Sequence, residues 1–401
     1  MSVIVQKYGG SSLKTPNDIL RVAQQIKLKQ STGVKLIIVV SAMGKATDEL
    51  IQMAYQVSSK PNRREFDMLL TAGERVSMSL MSMALNSIGC PSISFTGSQA
   101  GVFTDSSHSN ARIIDLKPNR VEENLNQNKI VVLAGFQGVD PRLKEVTTLG
   151  RGGSDTTAVA LASYFKAESC EILKDVEGIY SADPKYVSTP IRYHQISINA
   201  LEQSCFWGAK VLHYRSVELA KNLKVPLYIG SSFHPNSVGT SVTEENQKMY
   251  EVDHVLTLSV LENIFHIKLK CNSPQECLDK LKSILDNEKL PWPQFLASVF
   301  ENNEWRALLS SNSEGLNALK NALTPFGFEF FGENLTGITL TCGGFYTSEL
   351  ICKITKILSE KGVHPQKSIA TTSSYTIFID TKQTQLVCNQ LHSLVNTNSF
   401  R

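Results

Sequence analysis

The first 240 residues alternate between two hydrophobic rhythms. Short unbroken apolar runs at 36–40 and 130–134 have strand length and no polar alternation, the mark of a strand buried on both faces. Residues 3–8, 170–173 and 226–229 read as further strands. Between them the apolar residues take helical spacing, as at Ile19, Val22, Ala23 and Ile26. Thr15, Pro16 and Asp18 supply the cap, first residue and acidic first turn of that helix. Helical patterns also cover about 64–87, 155–166 and most of 201–223. Strands alternating with helices predict an α/β fold with a parallel-rich central sheet and helices on both faces.

The rhythm changes near residue 245. The polar run at 244–248 reads as part of a linker over 244–254. Strands are predicted near 255–261, 264–270, 294–300, 305–311, 328–331, 336–343, 365–371 and 374–379. Helices fall near 274–286, 313–324, 346–361 and 383–396. From 264 the order is βαββαβ, a complete split-βαβ unit. From 336 it is βαββα, and the strand at 255–261 would complete it. Residues 255–401 therefore predict two interleaved α+β modules, 264–335 and 336–401 plus 255–261.

Composition narrows the partners. Of the 401 residues, 42% are hydrophobic and 19% charged, enough apolar content for packed cores. A net charge of +3 is too balanced to point to nucleic acid or an anionic membrane. No apolar run approaches the roughly 20 residues of a membrane helix. The N-terminus lacks a signal-peptide pattern, so cytoplasmic residence is expected. The eight cysteines form no C-x-x-C pair and read as ordinary, mostly buried thiols. The eight histidines show no metal-binding spacing, and no protein metal site is expected.

Two glycine loops carry the candidate chemistry. Lys7-Tyr8-Gly9-Gly10-Ser11-Ser12 lies between the first strand and the first helix, and Gly150-Arg151-Gly152-Gly153-Ser154-Asp155 opens another helix. Paired glycines let a backbone approach an anion, and helix N-termini favour it. Lys7 adds a point charge, and Arg151 a fork that can grip a carboxylate. Either loop alone could be a plain turn; two, each with a cation, favour an anion site. No P-loop pattern is present, and Gly135-Phe136-Gln137-Gly138 does not match the dinucleotide fingerprint.

These loops, with Ser41-Ala42-Met43-Gly44, Thr71-Ala72-Gly73-Glu74-Arg75, Phe95–Gly101, Asp175–Pro184 and Gly208–His213, resemble the aspartokinases over residues 1–240. The resemblance implies an amino-acid-kinase domain at 1–243 followed by two ACT-like modules. It implies transfer of the ATP γ-phosphoryl group to the β-carboxylate of L-aspartate, with Mg²⁺. By the same resemblance Lys7 and Asp175 would be catalytic. Gly9, Gly10, Ser11, Ser41, Lys174, Tyr180, Lys185, Lys210 and Val211 would join them in binding ATP. Thr47, Glu74, Arg151, Gly152, Gly153 and Ser154 would hold aspartate, with Glu74 on the ammonium.

Plainer roles are also open for some of these positions. Glu74 could pair with Arg75, Asp155 reads as a helix cap, and Trp207 and His213 read as structural. A non-catalytic paralogue, or a kinase of the same fold with another acceptor, would share most of the motifs.

The chain departs from the family at Lys174, where Ser or Thr is usual. In the first module the expected Pro-Gly turn reads Pro274-Gln275, and the expected Asn/Asp strand reads Leu290-Pro291-Trp292-Pro293-Gln294. The second turn reads Phe345-Tyr346-Thr347-Ser348. Feedback by lysine or threonine is therefore expected to be lost or altered, and the modules to serve as a platform for a homodimer or higher oligomer.

Overall fold

The computed structural model describes residues 2–244, 255–288, 290–311, 313–343 and 348–395. Most of the expected linker and the turn at 344–347 lie outside them.

An eight-stranded sheet organises the first part of the chain. Its spatial order is Gln195–Ser197, Thr240–Thr243, Leu227–Ser231, Ser169–Lys174, Val3–Tyr8, Lys35–Val40, Ile130–Ala134 and Ser92–Phe95. Every pairing is parallel except that of Leu227–Ser231 with Thr240–Thr243. The unbroken apolar runs have the predicted cause. Val5, Ile37 and Val39 belong to one core cluster, while Ile4, Ile38 and Val40 belong to another across the sheet. Alternate residues thus feed opposite cores, and neither face tolerates polar positions.

The helix Pro16–Gln30 starts as its sequence predicts. Thr15 Oγ accepts the Asp18 N–H at 3.2 Å, and Asp18 Oδ2 accepts the Thr15 N–H at 3.1 Å. Two small sheets were not foreseen: Ile113–Leu116, Val102–Thr104, Gln137–Val139 and Val146–Thr148 in one, Ile179–Tyr180 with Arg192–Tyr193 in the other. Their strands are too short to show a period.

The expected helix over 201–223 is broken. Helices Ile198–Phe206 and Tyr214–Asn222 flank an irregular stretch in which Gly208 has φ +102°. A Cβ on Gly208 would stand 2.3 Å from the Val260 carbonyl oxygen, so the chain is pressed onto the second sheet there. Trp207 is buried with Ile264, Leu308, Leu335 and Phe378 in a cluster that joins the two parts.

The second sheet has six antiparallel strands in the order Gln294–Glu301, Glu304–Ser310, Val255–Lys270, Glu329–Cys342, Ser374–Asp380 and Lys367–Ala370. Four expected strands merge into two long ones, Val255–Lys270 and Glu329–Cys342. The gap between the expected strands 255–261 and 264–270 is an irregularity within one strand, with Asn263 at φ +56°. Residues 255–261 pair with 337–342, and 264–270 pair with 304–310. Each long strand therefore serves both α+β modules.

Cys271 and Cys277 are joined by a disulfide, against the expectation of ordinary thiols. The strand-to-helix reversal at Ser273-Pro274 brings their α-carbons within 6.2 Å. Among the described residues no helix is long and apolar enough to cross a membrane.

Gly33 and Gly208 separate strain from contact. Both have positive φ, but a Cβ at Gly33 meets nothing within 4 Å. Gly33→Ala should cost about 1 kcal/mol. Gly208→Ala should cost about 3 kcal/mol, because overpacking adds to strain. Thermal unfolding of both variants checks the difference.

Candidate active site

Parallel strands deliver their C-terminal ends to one edge; from Val3–Tyr8 the chain moves outward to Lys35–Val40 on one side, and from the adjacent Ser169–Lys174 it moves outward to Leu227–Ser231 on the other. This is the switch point at which α/β sheets open a crevice. Tyr8 runs into Gly9 and Gly10, and then into the short helix Gly10–Leu13. A Cβ on Gly10 would lie 2.7 Å from the Ala42 carbonyl oxygen, so only glycine lets these loops touch. A Cβ on Gly9 would sit 3.8 Å from Lys7 Nζ, in the space above the ammonium. Ser11 is half-buried in the same turn.

Asp155 holds the crevice together. Its carboxylate is buried, with Oδ1 2.6 Å from Lys7 Nζ and Oδ2 3.5 Å from Lys174 Nζ. Lys174 also donates to the Val211 carbonyl oxygen. Burial alone would raise the Asp155 pKa, but the two ammonium groups outweigh it and hold the carboxyl below its usual range. Burial pushes the Lys174 pKa down, opposed by Asp155.

Asp155 is not the helix cap expected from sequence. Gly152, at φ +71°, takes that place, and Asp155 is the third residue of Gly153–Tyr164. That helix is buried from Gly153 to Ala162, and a lone acid in such a helix requires a cation.

Glu74 lies on the helix Arg63–Ser87, beneath the loop after Lys35–Val40. A Cβ on Gly73 would stand 2.8 Å from Ala42 Cβ, so the glycine admits the loop. Glu74 Oε1 accepts the Ala42 N–H at 3.2 Å, whereas Oε2 is buried without a partner. Burial raises its pKa to about 7, offset in part by backbone hydrogen bonds and by Lys7. Glu74 is only 3% exposed, which excludes a surface pair with Arg75. The Ser41 carbonyl accepts from Ser77 Oγ at 2.7 Å, and Thr47 is half-buried in the first turn of Ala46–Val57.

Arg151 is exposed on its loop, ahead of the buried Gly153 and Ser154. A Cβ on Gly152 would overlap the His213 side chain at 2.2 Å. His213 caps Tyr214–Asn222 by accepting the Arg215 N–H. Two positioning groups escaped the sequence reading. Arg215 donates to the Leu149 and Ala111 carbonyls at 2.7 Å each. Buried Asp67 accepts from the Thr148 hydroxyl at 2.6 Å and lies 2.8 Å from His108 Nδ1. Both pin the strand that leads to Arg151; single polar residues in helices give no local sign of such long-range partners.

The remaining positions divide. Asp175 is exposed and follows Lys174; among the described residues it makes no ion pair. Tyr180 is half-buried in Ile179–Tyr180. Lys185 bonds Glu262 and Tyr186 Oη, each at 3.0 Å, and the charge of exposed Lys210 also reaches Glu262. The structure thus gathers Lys7, Gly9, Gly10, Lys174 and the Val211 carbonyl at the strand ends. It sets Lys185 and Lys210 around Glu262 of the second sheet.

This geometry defines an α/β protein with a cationic, glycine-lined crevice. The chain belongs to the amino acid kinase family, whose profile it matches over residues 2–231. Within that family its sequence is similar to aspartokinases. It is 48% identical over 257 residues to the aspartokinase of Corynebacterium glutamicum, a match covering 64% of this chain and 61% of that protein. It is 48% identical over 245 residues to the aspartokinase of Bacillus sp. strain MGA3, covering 61% and 59%. The matched stretch thus spans about 60% of the length of these relatives. Aspartate kinase from Synechocystis shares 31% identity at a TM-score of 0.56, over 99% of this chain and 70% of that one. The fold is shared with E. coli aspartokinase III in complex with aspartate and ADP, at a TM-score of 0.79 and 21% identity over 98% and 99% of the two chains.

The raised Glu74 pKa carries a stability consequence. The folded protein without ligand keeps a proton on Glu74 that the unfolded chain releases above about pH 4.5. Stability should therefore fall as pH rises from about 4.5 to 7, by about 3 kcal/mol in total. Glu74→Gln should remove that part of the slope, read from denaturant unfolding at several pH values.

Proposed function

We propose that this protein is an aspartate kinase, transferring the γ-phosphoryl group of ATP to the β-carboxylate of L-aspartate to give 4-phospho-L-aspartate. The observation that carries the reading is the pairing of an excess cation with an unsatisfied buried carboxyl oxygen. Lys7 and Lys174 share one carboxylate, while the partner-free Oε2 of Glu74 lies within reach of the Lys7 field. The first suits a phosphate, and the second suits an amino-acid ammonium.

The acceptor carboxylate is ionised at neutral pH, with a reference pKa near 3.9, so it needs no general base. The obstacle is the approach of one anion to another. Lys7 and the Gly10 N–H offset charge on the transferring group. Arg151 grips a substrate carboxylate, Glu74 takes the ammonium, and Thr47, Gly152, Gly153 and Ser154 shape the pocket. Ser11, Ser41, Lys174, Asp175, Tyr180, Lys185, Lys210 and Val211 line the nucleotide side.

Among the described residues no group of three or more His, Cys, Asp or Glu could hold a metal ion. The exposed, partner-free carboxylate of Asp175 fits magnesium, which commonly uses one or two carboxylates with phosphate oxygens and water. Bound there with ATP, Mg²⁺ would neutralise phosphate charge.

On this reading the enzyme works in the cytoplasm and opens the route from aspartate to lysine, threonine and methionine. The two ACT-like modules would pair with those of a second copy. The first module's turn is closed on itself. Ser273 Oγ accepts the Glu276 N–H at 3.2 Å, Glu276 Oε2 accepts the Asn272 N–H at 2.9 Å, and the disulfide spans it. This supports altered feedback.

Hydroxylamine trapping should show ATP-dependent acyl phosphate with aspartate and none with glutamate, acetylglutamate or UMP. The rate should be unchanged by millimolar lysine or threonine. Arg151→Ala should raise KM for aspartate at least about tenfold while leaving KM for ATP within about twofold. Equal losses for both substrates would remove Arg151 from the acceptor pocket.

A further inference from the structure

The glycine turn after the first strand is held on its two flanks by different means. On the flank toward Lys35–Val40 the contact is backbone to backbone. The Gly44 N–H donates to the Gly10 carbonyl at 3.0 Å, and the Ala42 carbonyl oxygen stands 2.7 Å from where a Gly10 Cβ would be. On the other flank the adjacent strand Ser169–Lys174 offers one long bond, from the Gly9 N–H to the Leu173 carbonyl at 3.3 Å. The stronger tie there comes from Ser232, at the end of Leu227–Ser231, one strand further out. Ser232 Oγ is 2.7 Å from Ser12 Oγ and 3.0 Å from the Lys174 carbonyl oxygen, and its N–H donates to that carbonyl at 2.8 Å. Ser12 and Ser232 are both fully buried.

Arg21 closes this second flank from behind. It lies on the helix Pro16–Gln30, whose Ile19, Val22 and Ile26 pack in the core on the side of the sheet opposite that of Val5. Side chains alternate along a strand, so Lys7 shares the face of Val5 and Arg21 approaches from the other face. One terminal guanidinium nitrogen donates to the Ser232 carbonyl, and the other to the Ser12 carbonyl at 3.3 Å. The second nitrogen also reaches Asp18 Oδ1 at 3.3 Å, and the planar group lies 4.5 Å from the centre of the Phe233 ring. A rigid fork of this kind bridges two acceptors at once, which a lysine ammonium on a flexible stem does less well. Gln25, one helical turn on, provides an internal comparison. Its Nε2 donates to the same Ser232 carbonyl at 2.9 Å, on one side of the bridge only.

We propose that Arg21 is a positioning residue for phosphoryl transfer: by bridging the Ser12 and Ser232 carbonyls it fixes the glycine turn against the outer strand, and so fixes where the Gly10 N–H points. This rests on the phosphoryl-transfer reading of the crevice and deepens it. Arg21 touches no reacting atom on that reading, because its donors are spent on two carbonyls and Asp18. The turn cannot hold its own direction. Gly10–Leu13 is four residues long and begins at the residue type with the freest backbone. A displacement of about 1 Å at a group that orients the reaction can cost about 100-fold in rate. ADP lacks the phosphate that the turn addresses, and the acceptor is held by other residues. A loosened turn therefore lowers kcat while leaving the binding of ADP and aspartate nearly intact.

The test measures aspartyl hydroxamate formation, Mg-ADP affinity by calorimetry and amide hydrogen exchange across residues 9–13, in the wild type, Arg21→Met, Arg21→Lys and Gln25→Met. In Arg21→Met kcat should fall about 10- to 100-fold, with KM for aspartate and ADP affinity within about twofold. Exchange across 9–13 should quicken at least about tenfold. Gln25→Met, which loosens only the Ser232 side, should keep kcat within about twofold. An unchanged kcat in Arg21→Met, an equal loss in Gln25→Met, a rise in KM for aspartate that matches the fall in kcat, or a loss of kcat without faster exchange overturns the proposal. Retained ADP affinity certifies folding; if Arg21→Met binds no ADP, Arg21→Lys is read in its place, with a kcat loss of at least about fivefold expected. If the wild type makes no aspartyl phosphate, exchange with Mg-AMPPNP separates the two readings. Slowing across 9–13 in the wild type but not in Arg21→Met removes the acceptor assignment and keeps the role of Arg21. No slowing in the wild type overturns both.

Discussion

A single buried carboxylate sets the geometry of this protein. Asp155 can remain ionised inside the molecule only because Lys7 and Lys174 reach it from neighbouring strands, and those lysines can be buried only because Asp155 is there. Removing one member of such a group typically costs 3–5 kcal/mol, since the rest are left uncompensated. The demand spreads outward. The helix must begin where Asp155 meets the strand ends, so Gly152 takes a left-handed conformation against His213. Gly135 must lack a side chain, because a Cβ there would lie 2.8 Å from Ser154 Cβ.

The stretch that follows Lys174 does double service. It leaves the crevice through Asp175 and then packs on the second sheet. Ala182 bridges to Leu258, Tyr193 Oη donates to the Leu256 carbonyl, and Ser204 lies 2.6 Å from Thr257. Lys185 and Tyr186 both bond Glu262, which sits at the irregularity of the longest strand. The stretch after Lys174 and the second sheet are thus one packed unit at these groups. A shift of the long strand at Glu262 would be felt directly at Lys185.

What could be read from the sequence followed from local physics. Buried strands announce themselves as unbroken apolar runs, and Thr15 with Asp18 forms its cap because both partners lie within one turn. Glu74 and Arg151 stood out through the motifs around them. Asp155 did not, because an acid in a first turn looks like a cap until the neighbouring strands are in place. The break at Gly208 was equally silent, since its cause is the Val260 carbonyl more than fifty residues away in the chain. Val255–Lys270 read as two strands because the residues that interrupt a strand pattern also fill strand irregularities. The Cys271–Cys277 bond needed the reversal at Ser273 to be seen first.

The two long strands have an evolutionary consequence. Val255–Lys270 and Glu329–Cys342 each run through both α+β modules, so separating the modules means interrupting both strands. A one-residue insertion or deletion away from the irregularity at Glu262 would turn every following side chain of that strand to the opposite face. Length changes in this half of the chain therefore fit best in the connecting segments and at that irregularity.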